Sequence, residues 1–253
     1  RMAALSEVLW GTKENRDWKD FEKRLMGQFK RYDLWKSNYS KAYFDLKASI
    51  LPAENQRHVL WKLQTKQEDT EIKYITHYAG RPYPLKFSEG TIYKSPIEIR
   101  STMLIAAISL LNGKAVSNPV YETFHFNKAT GKKISLTKEA SPTYPGDGAF
   151  TLVNGVINEK GFARTKEFLG FNGTDCEAVI DLGESTEISF VVVNCLDRRS
   201  SWIWRPRSAE VLGSGDGQTW YSLKSTDNLE ENKSGTGKGM MTLSFRKTFA
   251  RFV

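Results

Sequence analysis

The stretch from Glu177 to Trp220, EAVIDLGESTEISFVVVNCLDRRSSWIWRPRSAEVLGSGDGQTW, constrains this chain more than any other. Glu177-Ala178-Val179-Ile180-Asp181-Leu182 reads as a strand ending at Gly183. Ile188 to Leu196 is β-branched and apolar enough for a second, buried strand. Ser208 to Leu212 reads as a third, and Asp216-Gly217 supplies the positive-φ pair that a tight hairpin needs before Trp220 and Tyr221 open the return. Short β-branched runs at this spacing, with turn signals between them, predict a sandwich or jelly roll.

The region from about Leu46 to Leu136 carries the same signals. Glu71 to Tyr78 and Pro96 to Arg100 alternate, and Met103 to Leu111 is a continuous apolar run of strand length. Asn112-Gly113 is the strongest hairpin turn of the chain. Five to seven short strands predict an immunoglobulin-like sandwich without the cysteine pair. Ser, Pro, Tyr and Gly crowd Lys138 to Gly148, which reads as a linker. The first segment is helical instead. Trp18, Phe21, Leu25, Phe29, Tyr32 and Trp35 fall on one stripe, which predicts a single helix over 12–37, capped by Asn15 with Asp17 in its first turn.

Three stretches carry family resemblances. IDLG, a long strand, an Arg-rich loop and S-x-D-G-x-x-W resemble the discoidin-like (galactose-binding-like) jelly rolls of bacterial glycosidases, with Leu152-Val153-Asn154-Gly155 at their entry motif. The order E-I-K-Y, Y-K-S-P-I-E-I, T-M-L-I-A-A is similar to the chitobiase/hexosaminidase C-terminal module. Ala4, Glu7 and Trp10, then Trp18, Phe21, Arg24 and Leu25, resemble the end of the catalytic barrel in family 20 glycoside hydrolases, the β-N-acetylhexosaminidases. These resemblances imply a barrel remnant over 1–44, an immunoglobulin-like module over 45–137 and a C-terminally truncated discoidin-like jelly roll over 141–253. They also imply a secreted parent in the periplasm or outside the cell, and an upstream barrel against which the first segment packs. Arg251-Phe252-Val253 reads as the start of a further strand.

Family 20 chemistry uses an adjacent Asp-Glu pair, and this chain contains no Asp-Glu dipeptide. The resemblance therefore implies a non-catalytic region of a glycosidase. His58, His77 and His125 form no zinc spacing, and neither glycine-rich turn has the phosphate-loop pattern. The net charge of +8 is scattered without a basic stripe, against nucleic-acid binding, and no apolar run is long enough for a membrane helix. Cys176 and Cys195 match no metal spacing and read as buried free thiols.

The sharper expectation is a glycan site. Sugar recognition takes an aromatic face for the C–H side of a ring and forked donors for hydroxyls. Asp197, Arg198, Arg199 and Trp202 offer both within one loop, with Arg164 on the preceding loop. The structural alternative places Trp202 and Trp204 in the core and Arg198 and Arg199 in surface ion pairs. Calcium is the other feature the resemblance implies, with Asn154 as one ligand. Val156 has lost the oxygen of the next ligand position, Glu159 holds another, and the incomplete set argues against an occupied site and against any cofactor. The readings left open are an accessory region of a secreted β-N-acetylhexosaminidase acting on terminal N-acetylhexosamines, a free-standing carbohydrate-binding or adhesin module, and a structural spacer.

Overall fold

The computed structural model describes residues 2–66, 69–78, 86–158, 166–227 and 236–253. Strand outweighs helix, 42% to 18%, so the class is mainly β with a sandwich-type core. The chain divides into two compact units, residues 1–43 and 44–253.

The first unit holds α1 (Met2–Trp10) and α2 (Trp18–Leu34). The predicted helix over 12–37 is shorter than expected, because Asp17 rather than Asn15 caps it. Asp17 is extended, and its carboxylate accepts from the amides of Lys19 at 2.7 Å and Asp20 at 3.2 Å. That satisfies orphan donors of the first turn, while Asn15 ends a separate short 3-10 turn. At the other end Lys36 takes φ +51, with Ser37 N–H donating to Tyr32 C=O and Lys36 N–H to Asp33 C=O. This is a Schellman stop built without glycine. The aromatic stripe is covered locally: Phe29 stacks on Tyr39 at 5.0 Å, and Tyr32 meets Tyr39 at 5.3 Å. Trp18 and Trp35 remain exposed.

The second unit begins as a two-sheet sandwich. β1 (Lys47–Pro52), β2 (Val59–Gln64), β3 (Glu71–His77), β4 (Thr91–Ile92), β5 (Ile97–Ile99), β6 (Met103–Leu111), β7 (Lys114–Ala115) and β8 (Val120–Phe124) are all short. One sheet runs β1-β2-β5. The other runs β4-β3-β6-β7, with β8 also paired to β6. Val59, Trp61 and Leu63 alternate inward from β2 and meet Ile72, Ile105 and Phe124 from the facing sheet. Trp61 and Phe124 are wholly excluded from solvent. Each such ring contributes about 1.5–3 kcal/mol by burial. The Asn112-Gly113 turn is as predicted: both residues have positive φ, and Leu111 faces Lys114 across a two-residue loop.

β9 (Lys133–Leu136) leaves this sandwich and pairs with the strand expected to belong to the jelly roll. Past β10 (Gly146–Ala149), Phe150 and Val156 pack back on the sandwich core, and Val156 bridges Phe124. Gly131, at φ +77, lies so close to the His58 backbone that a Cβ would collide with it. Pairings and packing thus cross the 138–148 stretch.

The remaining strands are β11 (Ala178–Arg198), β12 (Ala209–Gly213), β13 (Tyr221–Thr226) and β14 (Thr236–Phe252). Sequence reading divides 177–196 into two strands at Gly183. The structure keeps one strand, with a register shift between Asp181 and Thr186 where Gly183 takes φ +86. β14 pairs antiparallel along β11, and β12 pairs β13. Arg251 and Phe252 therefore lie in a strand that begins at Thr236 and do not begin one. Arg251 forks onto the Asp181 carboxylate with two contacts of 3.0 Å, which holds that carboxyl below its usual range. The core here is small: Leu182, Ile188 and Ala250, with Ile180, Leu223, Phe245 and Val253 around them.

Asp216-Gly217 behaves differently from the expected tight hairpin. Only Gly217 has positive φ, and a longer loop joins β12 to β13. The Asp216 carboxylate organises it by accepting from Thr219 N–H and Gln218 N–H, each at 2.8 Å, and from the Ser214 hydroxyl. These donors favour the ionised form and pull its pKa to about 2 from 3.8. The sign follows from linkage: a depressed carboxylate stabilises the fold above its unfolded pKa and loses that contribution as pH falls through its folded one. Asp216→Asn is expected to narrow its stability deficit against wild type between about pH 4 and about pH 2. Urea unfolding of both proteins across that range checks it; a constant deficit would contradict the assignment.

Candidate functional site

The loop after β11 is a closed device. Arg198 N–H donates to Ile203 C=O at 2.9 Å and Ile203 N–H returns to Arg198 C=O at 3.2 Å, which seals Arg199 to Trp202 into a four-residue turn. Within it Trp202 N–H donates to Arg199 C=O at 3.0 Å. Trp202 itself is left-handed, φ +58 and ψ +30. A residue with a Cβ pays about 1–2 kcal/mol for that conformation. The consequence is a side chain turned out of the turn: Trp202 is 85% exposed, and Trp204 is exposed as well. The reading that puts both indoles in the core is therefore corrected.

Asp197 and Arg199 face inward. Asp197 is only 3% exposed. Its Oδ1 lies 3.5 Å from Arg199 Nε, an ion pair too long for a good hydrogen bond, and neither atom has a hydrogen-bond partner among the described residues. On its other side the Arg199 guanidinium lies over the Trp204 ring, 5.2 Å from its centre. Arg199 is thus held between a buried carboxylate and an indole. Arg198 is exposed, and its side chain has no hydrogen bond or ion pair among the described residues. Arg164 and Glu159 lie outside the described residues.

Trp204, read in the sequence only as a core candidate, and Arg205, not singled out there, enter the site. The Arg205 guanidinium rests on the β14 backbone at Gly239, where any Cβ would collide with it. Its Nε is buried without a hydrogen-bond partner among the described residues. Glycine at 239 is what lets the side chain lie there, and no local pattern around Arg205 announces that distant requirement. Beside this contact opens a cleft of about 220 Å³, lined by Phe168, Asn158, Asn194, Cys195 and Met240 among others. It is smaller than the roughly 300–1,000 Å³ pockets of drug-sized ligands, and suits one small ring more than a chain. Asn158 donates its amide to Glu167 at 2.9 Å. Burial raises the Cys195 thiol pKa, and the Arg205 charge offsets only part of that rise. Cys195 is half-buried and Cys176 is exposed, so the expectation of two buried thiols fails for Cys176.

Asn154 stands apart from this group. It is buried, and its side-chain oxygen accepts from Val156 N–H at 2.9 Å, an Asx turn that commits that oxygen to the backbone. Among the described residues no three His, Cys, Asp or Glu side chains gather where they would hold a metal ion. No protein-family model matches the chain, and no curated protein matches it.

Removing the Arg199 charge strands the Asp197 carboxylate. Arg199→Ala is expected to cost about 1–3 kcal/mol of folding stability, the scale of an unsatisfied buried group. Adding Asp197→Asn to it should restore part of the loss in a double-mutant cycle. Additive losses would show that the two side chains do not interact.

Proposed function

We propose that this chain is the non-catalytic accessory region of a secreted β-N-acetylhexosaminidase, and that the loop 197–205 binds glycan. The observation that carries the binding reading is Trp202, an indole held fully outward by a strained backbone in the same turn as the exposed Arg198. Strain retained at an exposed aromatic has a use if the ring meets a partner, and a sugar's C–H face is such a partner. The arginines supply the forked donors for its hydroxyls. The parent activity rests on the resemblance of the chain's three stretches to family 20 enzymes. In that reading the second β layer is the discoidin-like jelly roll, the sandwich is the chitobiase/hexosaminidase C-terminal module, and the protein works in the periplasm or at the cell surface. No helix among the described residues is long and apolar enough to cross a membrane. The exposed apolar side chains of the first unit, Trp10 at 91% among them, are support for docking on an upstream barrel.

A spacer role is the alternative, favoured by the inward engagement of Asp197 and Arg199. Trp202→Gly separates the two readings. Glycine relieves the left-handed strain, so the melting temperature should hold or rise, while affinity for N-acetylhexosamine-terminated glycans should fall by about tenfold or more. Binding measured by calorimetry and melting by scanning calorimetry check both. Unchanged glycan affinity, or no binding by wild type, leaves the spacer reading. The purified chain should also release no chromophore from an aryl N-acetylglucosaminide, since it contains no Asp-Glu pair; turnover above a blank would reject the non-catalytic assignment.

A further inference from the structure

We infer that this loop selects anionic glycans, sugars bearing a carboxylate or a sulfate; the inference rests on the glycan-binding reading of the same site and names its ligand class. Residues 197–207 carry four arginines, Arg198, Arg199, Arg205 and Arg207, against one carboxylate. That carboxylate, Asp197, is buried and taken by Arg199. The side chains of Arg198, Arg205 and Arg207 make no hydrogen bond or ion pair among the described residues. Three guanidinium groups in a span of ten residues therefore lack a carboxylate partner among the described residues.

Arg205 carries the argument furthest. Its guanidinium rests on Gly239 at the border of the cleft, and its Nε is buried with no acceptor among the described residues. A buried donor on a charged group without an acceptor is costly, and natural structures seldom leave one so. A neutral hydroxyl bonds a guanidinium weakly. An oxyanion at the remaining N–H groups of Arg205 bonds it with roughly twice the strength, in the planar geometry that guanidinium matches. The acid beside the cleft, Glu167, accepts from the Asn158 amide and is not paired with any of these arginines. Trp202 and Trp204 add the aromatic faces that a bare anion site has no need of.

The test uses the whole chain and three versions of one N-acetylglucosamine-terminated trisaccharide: neutral, with a sulfate ester, and with a carboxylated sugar. A single-stranded oligonucleotide of matched charge is the fourth probe. The anionic trisaccharides should bind about tenfold tighter than the neutral one, the gap between neutral and charge-assisted hydrogen bonds. That preference should weaken as salt rises. Arg205→Gln should reduce the ratio of anionic to neutral affinity to about threefold or less. Because Arg205 is partly buried, the exposed pair Arg198→Gln and Arg207→Gln is made alongside it, and its ratio should fall in the same direction. Equal affinity for neutral and anionic trisaccharides overturns the inference and leaves glycan binding standing. No binding of any trisaccharide overturns both. Oligonucleotide affinity equal to that of the anionic sugars overturns it in favour of a general polyanion surface.

Discussion

The ladder between β11 and β14 carries the second half of this molecule. It runs antiparallel from Asp181–Phe252 to Arg198–Thr236, interrupted by two register shifts. At one end the Asp181–Arg251 fork locks the pairing beside the return to the sandwich, where β9 joins β11. At the other the strand delivers Asp197 into the interior and Arg198 into solvent, which starts the loop. A long two-strand ribbon would twist freely without such anchors. Here each end is tied by a charged group, and the shifts let the strand bend between them.

Burying Asp197 sets the arrangement of everything after it. A carboxylate out of water needs a cation, and Arg199 is within reach only if the chain turns at once. The turn is closed by Arg198 and Ile203, and its last residue is forced left-handed. Trp204 then covers the guanidinium, while Trp202 is left outside. One buried charge thus accounts for the inward pair, the strained residue and the exposed indole together. Inward-facing and outward-facing side chains thus share one short loop.

The two β layers of the second unit are unequal. The sandwich closes over Trp61, Phe124, Ile99 and Ile105 with no exposed surface left on any of them. The layer around β11 buries few large side chains and leaves Phe190, Met240 and Phe249 in solvent. Its order depends more on the backbone ladder, on the Asp181–Arg251 fork and on the Asp216 loop than on packed volume. Phe150 and Val156 on the sandwich core, and β9 on the ladder, couple the weak layer to the strong one.

Much of this was legible from residue types alone. Alternation and apolar runs marked the strands, Asn112-Gly113 its hairpin, and the spacing of Trp18, Phe21 and Phe29 the helix, because periodicity reflects which face is buried. Local reading chose Asn15 over Asp17 as the cap and split β11 at Gly183, since a cap is decided by which amides the carboxylate reaches and a bulge by the partner strand. Composition marks the loop 197–202, yet it gives Asp197, Arg198, Arg199 and Trp202 one common role. Only the fold separated them, by burying Asp197 and turning Trp202 outward. Arg205 was beyond local reading altogether, because its place depends on Gly239, a residue on another strand whose missing side chain makes the room.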